Sequence, residues 1–76
     1  MKKVSRYSWQ TSKGGFVAKV IFEFEDGNSD SAEFPFQLMG NFLQSITAAN
    51  SAGSFDLYAV ADGHKFDFRI DIPTQG

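Results

Sequence analysis

Cysteine is absent from the 76-residue chain, which excludes a disulfide framework and a thiolate zinc site and accords with a reducing, cytoplasmic setting. Histidine occurs once, at position 64, and proline twice, at 35 and 73. No stretch comes near the roughly 20 apolar residues of a membrane-spanning helix. The amino-terminal MKKVSRYSW has two lysines with no apolar run behind them, so neither a signal peptide nor a membrane anchor is expected. Acid is missing from residues 1–19, which carry Lys2, Lys3, Arg6, Lys13 and Lys19; Lys and Arg are missing from residues 20–64, which hold every acid except Asp67 and Asp71. From Phe34 through Phe55 there is no charge of either sign. With no repeat, low-complexity tract or linker, residues 1–76 read as one small domain.

What the chain does have is aromatic surface: nine Phe, two Tyr and one Trp, each able to bury about 150–250 Å². Gly-containing breaks at SKGG (12–15), EDGN (25–28), NSAG (50–53) and ADGH (61–64) divide it. Phe16, Ala18, Val20, Phe22 and Phe24 recur at every second position, as do Phe66, Phe68, Ile70 and Ile72, which is the pattern of strands with one buried face. Tyr7 and Trp9 mark an earlier strand, Ala32 and Phe34 a third, and Ser54–Ala61 the partner of the last.

Keeping the large apolar residues on one face then predicts the loops. A four-residue loop at Ser12–Gly15 sets Tyr7 opposite Val20 and Trp9 opposite Ala18. An odd loop, Asp26–Gly27–Asn28, sets Phe22 opposite Ala32, and a two-residue turn at Asp62–Gly63 sets Leu57 opposite Phe68 and Ala59 opposite Phe66. Between Pro35 and Asn50 the apolar spacing lengthens to three and four, through Phe36, Met39, Leu43 and Ile46 and through Leu38, Phe42 and Ala49, which predicts an amphipathic helix. Gly40 inside it either admits close packing or weakens the helix. The expected class is α+β: a single five-stranded antiparallel sheet with one helix packed on one face, β-β-β-α-β-β. The strand order 1-2-3-5-4 is preferred over 3-2-1-5-4.

Little of this resembles catalytic machinery. Asp26, Asn28 and Asp30 alternate as the first ligands of a calcium loop do, but such a loop needs glycine at its sixth position and glutamate at its twelfth, where this chain has Ser31 and Gln37. The segment reads as a register-setting turn and an acidic handle. His64 follows Asp62–Gly63 at a hairpin end, no thiol nucleophile exists, and Lys13–Gly14–Gly15 leads into a strand and not into a phosphate-binding helix. No enzyme, metal or cofactor is expected.

Function is therefore expected to reside in surfaces. Five strands make a sheet about 24 Å wide and a helix covers about 10–12 Å of it, so either the sheet curls or a second copy completes the core. The helix's outer side, with Gln37, Asn41, Gln44, Ser45 and Ala48, is polar but uncharged, as the centre of a protein interface tends to be. Val17, Ile21, Tyr58 and Val60 form a second candidate contact surface on the outer sheet face. These point to a small non-enzymatic protein-interaction domain, accessory or inhibitor-like and homodimeric. The alternative is a single-stranded nucleic-acid-binding module, with Arg6, Lys13, Lys19, Lys65 and Arg69 as a basic stripe if the first, second and fifth strands lie together. The net charge of −2 argues against it.

Overall fold

The computed structural model describes residues 1–73, apart from the side chain of Lys13. Its elements are β1 (Lys2–Ser12), β2 (Val17–Phe24), β3 (Ser29–Pro35), a 3₁₀ turn (Phe36–Leu38), α1 (Met39–Ser51), β4 (Asp56–Ala61) and β5 (Phe66–Asp71). All neighbouring strands are antiparallel, so the chain is the expected five-stranded antiparallel sheet with one helix. The strand order, β3-β2-β1-β4-β5, is neither of the two anticipated. Both assumed that the helix returns the chain along the sheet and leaves the fourth strand parallel to the first. Instead β4 runs antiparallel to β1, and the helix carries the chain across the sheet. Thirteen residues of helix extend about 20 Å, enough to pass the roughly 14 Å from β3 to β4 over the two strands between them.

All three hairpins keep the predicted faces and slide by two residues. Tyr7 lies opposite Phe22 and Trp9 opposite Val20; Val20 lies opposite Ala32 and Ala18 opposite Phe34; Leu57 lies opposite Ile70 and Ala59 opposite Phe68. A shift of two leaves every side chain on its side of the sheet, so alternation alone cannot detect it. The loop after β2 is odd, as required, but comprises Glu25–Gly27: Phe24 N–H donates to the Asn28 carbonyl (2.8 Å) and Gly27 N–H to the Phe24 carbonyl (3.1 Å). Gly27 takes φ 90°, the left-handed geometry such a loop needs. The last turn is Asp62–Lys65, closed by Asp62 N–H donating to the Lys65 carbonyl at 3.1 Å. The first loop starts one residue later than expected and takes in Phe16, which leaves the strand.

The surplus of apolar sheet is met mainly by curling. β3, an edge in the ladder, receives the turn of the β4–β5 hairpin: Gly63 N–H donates to the Ser31 carbonyl (3.1 Å), and Glu33 N–H donates to the Gly63 carbonyl (2.8 Å). The sheet thus curls so that the β4–β5 turn reaches its opposite edge strand, over the buried side of α1. A bulge between Val4 and Arg6 assists, putting Val4 opposite Phe24 and Arg6 opposite Glu23. It turns Val4 inward against the core, where plain alternation placed it outside. Beyond Lys2 and Lys3, the only β1 residues laddered to β4, the two strands part.

Phe22, Phe42, Met39 and Val20 are the largest fully buried side chains. The Phe42 ring meets Phe68 at 5.0 Å, Phe66 at 5.5 Å, Tyr7 at 5.7 Å and Phe22 at 6.0 Å, each close to edge-on. Such pairs contribute about 0.5–1.5 kcal/mol beyond the area they bury. Among the described residues no polar or charged residue is buried, so the core carries no desolvated group to satisfy.

Candidate functional site

The acidic tip between β2 and β3 is occupied by its own contacts. The Asp26 carboxylate accepts from Asn28 N–H at 2.9 Å and pairs with Lys2 Nζ at 3.1 Å. The Asn28 amide first, and the Lys2 ammonium second, hold that carboxyl below the usual range. No three potential metal ligands converge among the described residues. His64 is exposed on the last turn.

The topology also joins the charges that the sequence keeps apart. Lys3 Nζ lies 3.5 Å from Asp56 and 3.8 Å from Glu25, and the negative charge of Asp56, then of Glu25, raises its pKa. Arg6 meets Glu23 at 3.1 Å, while Arg69 meets Asp71 at 3.3 Å and lies 4.5 Å from the centre of the Tyr58 ring. Of the proposed basic stripe, Arg6 and Lys19 share neighbouring strands, but β4 separates β1 from β5, which carries Arg69 with Lys65 just before it. The condition for one continuous stripe is not met. The side chain of Lys13 lies outside the described residues.

The outer sheet residues are divided in the same way. Val17 and Ile21 stand on β2 opposite Ser12 and Ser8, whereas Tyr58 stands opposite Lys3 and Val60 two residues further along β4. The Arg6–Glu23 pair and Lys3 lie between the two groups. Gln37, in the 3₁₀ turn, and Asn41, Gln44 and Ala48, on α1, are exposed and Ser45 is half-buried, an uncharged outer side as the spacing predicts.

Beside it is a feature that alternation conceals. Trp9 is 41% exposed, Phe16 79%, Phe36 36% and Leu38 57%. The Trp9 and Phe36 rings are 6.1 Å apart, and Phe36 N–H donates to the Phe16 carbonyl at 2.9 Å, tying the first hairpin loop to the start of the helical segment. Phe16, Pro35, Phe36 and Gln37 line one recess; Leu38 and Asn41 line one wall of a neighbouring groove of about 200 Å³, whose other wall includes Lys65, Phe66 and Asp67. The aromatic corner therefore runs directly into the uncharged helix side. Trp9 and Phe16 were expected in the core. Trp9 does share a face with Tyr7, but near the far end of the hairpin its aromatic neighbour among the described residues is Phe36, whose ring is tilted at 41° to it. Two glycines immediately before Phe16 were the available sign that it belongs to a loop.

Comparison with protein-family models, with curated proteins and with solved structures finds no match.

Proposed function

We propose that the chain is a small non-enzymatic protein-interaction domain, accessory or inhibitor-like, that docks a partner protein through the aromatic corner and the adjoining uncharged helix side. The observation that carries this is the exposure of Trp9, Phe16, Phe36 and Leu38 in continuity with Gln37 and Asn41. Large aromatics dominate binding hot spots, and interface centres are depleted of charge. Solvent-facing helix surfaces ordinarily carry Lys and Glu, whereas α1 has none. The nucleic-acid reading draws less support, because Arg6 and Arg69 already face carboxylates and the strands of the basic stripe are not adjacent. A second copy of the chain is one of the proposed protein partners.

The test is a titration of the partner recovered by crosslinking in the source cell, read by isothermal calorimetry, which needs no tryptophan and so serves the wild type and both variants alike. Trp9→Ala and Phe36→Ala should each weaken binding by about tenfold or more while leaving the circular dichroism unchanged. Undiminished binding by both variants refutes the corner as the docking site.

A further inference from the structure

The outer edge of β5 carries a pattern that matches itself. Among the described residues β5 ladders only with β4, and its other edge has no backbone partner. Because Asp62 N–H donates to Lys65 C=O, the alternation of an antiparallel ladder turns the backbone groups of Asp67, Arg69 and Asp71 toward β4 and those of Phe66, Phe68 and Ile70 outward. The Phe68 N–H confirms this direction: its acceptor is the Asp67 carboxylate at 2.9 Å, not β4. This edge also holds the apolar surface that curling leaves unfinished. Phe66, Phe68 and Ile70 are half-buried against the core, and Ile72 is 52% exposed.

We infer that a second copy of this chain pairs with β5 across a two-fold axis at Phe68, extending the two sheets into one. Three features select that register. Hydrogen bonding requires residues with outward backbone groups to face one another, and Phe68 opposite Phe68 with Phe66 opposite Ile70 satisfies this. The charges along the other face alternate as Lys65, Asp67, Arg69 and Asp71. Around Phe68, Asp67 meets the partner's Arg69 and Lys65 meets the partner's Asp71, so each of these four charges finds its opposite. Centring on Ile70 pairs only Arg69 with Asp71. The inner face then brings Phe68 against its copy and Phe66 against Ile70, apolar cross-strand pairs of the kind that stabilise sheets. Both helices lie on the same side of the joined sheet, and the groove between α1 and β5 gains a second wall. On pairing, Asp67 exchanges the Phe68 N–H for Arg69 of the other copy, and that N–H passes to the opposite Phe68 carbonyl.

The inference rests on the reading of the chain as an interaction domain that also binds itself, and it uses the β5 edge, which borders the Leu38–Asn41 groove but does not involve Trp9 or Phe36. Sedimentation equilibrium across about 1 µM to about 1 mM, a span that brackets a weak strand-edge dimer, should show a dilution-sensitive dimer. Asp67→Lys alone and Arg69→Asp alone each set two like-charge pairs across the axis and should weaken the dimer by about tenfold or more. The double variant restores opposite signs at every pair and should recover the dimer. A chain monomeric throughout, or a dimer indifferent to both single changes, overturns the inference; single losses without recovery in a double variant of native circular dichroism overturn it too. Trp9→Ala should leave the dimer intact, so failure at the corner and failure at the edge are read independently.

Discussion

Gly40 is the only residue of α1 without a side chain, and a methyl group built there meets nothing within 4 Å. The two sequence-level explanations, close packing or a weak helix, are thereby separated: the position makes no contact that needs glycine, and its backbone flexibility simply costs stability. Gly40→Ala should stabilise the domain by about 0.5–1 kcal/mol and raise the melting temperature by about 2–8 °C in calorimetry. An unchanged or lower melting temperature would show that the site is constrained in some other way. At this scale the sequence was informative wherever burial follows alternation, as for Val20, Phe22 and Leu57, which are all buried. It misled at Val4 and Phe16, because a one-residue bulge and a two-glycine loop interrupt the count without altering composition.

At the scale of elements, alternation establishes which face a residue occupies and leaves its opposite neighbour undetermined by multiples of two. That is why three hairpins have the right faces and shifted partners. The missing information lies in the turns, and in the last hairpin it lies in tertiary contact. The closing pair Asp62–Lys65 leaves a two-residue turn as expected, but at Gly63–His64, one residue later, and its Gly63 backbone is hydrogen-bonded to β3. Gly63 sits at φ 94° with open space around it, so a side chain there is resisted by the backbone and not by neighbours. Gly63→Ala should therefore cost about 1–2 kcal/mol. In hydrogen exchange the amide of Glu33, which donates to Gly63, should lose protection while Ile21, whose backbone faces Ser8 in the β1–β2 ladder, keeps most of its own. Equal protection at Glu33 in both proteins would disprove that the turn clamps β3. The helix's uncharged side was legible because its periodicity is local; the aromatic corner was not, since it depends on where the helix stops covering the sheet.

Over the whole molecule, the separation of basic and acidic segments is a product of topology: the amino-terminal strand lies between acidic partners, and the pairs form across strands. The pH dependence follows. Asp26 has a lowered folded pKa, so its contribution is complete above the ordinary carboxylate value of about 3.9 and is lost as pH falls through the lower folded value. Lys3 has a raised folded pKa, so its contribution is complete below the ordinary lysine value of about 10.4 and is lost as pH rises through the higher folded value. Urea unfolding from about pH 2 to about pH 12 should show a plateau with both arms falling. Asp26→Asn should flatten the acid arm and Lys3→Met the alkaline arm; an unaltered profile in either variant would remove that pair from the account. The Gly63 clamp acts on the same scale and on time. It joins residues roughly thirty apart in the chain, so its loop-closure entropy is met only after α1 and the last hairpin exist. Contacts that form after the folding barrier slow unfolding and leave the rate of folding nearly unchanged. The clamp therefore governs how long the curled sheet keeps its two edges together, and hence its lifetime against proteases, more than how quickly they meet.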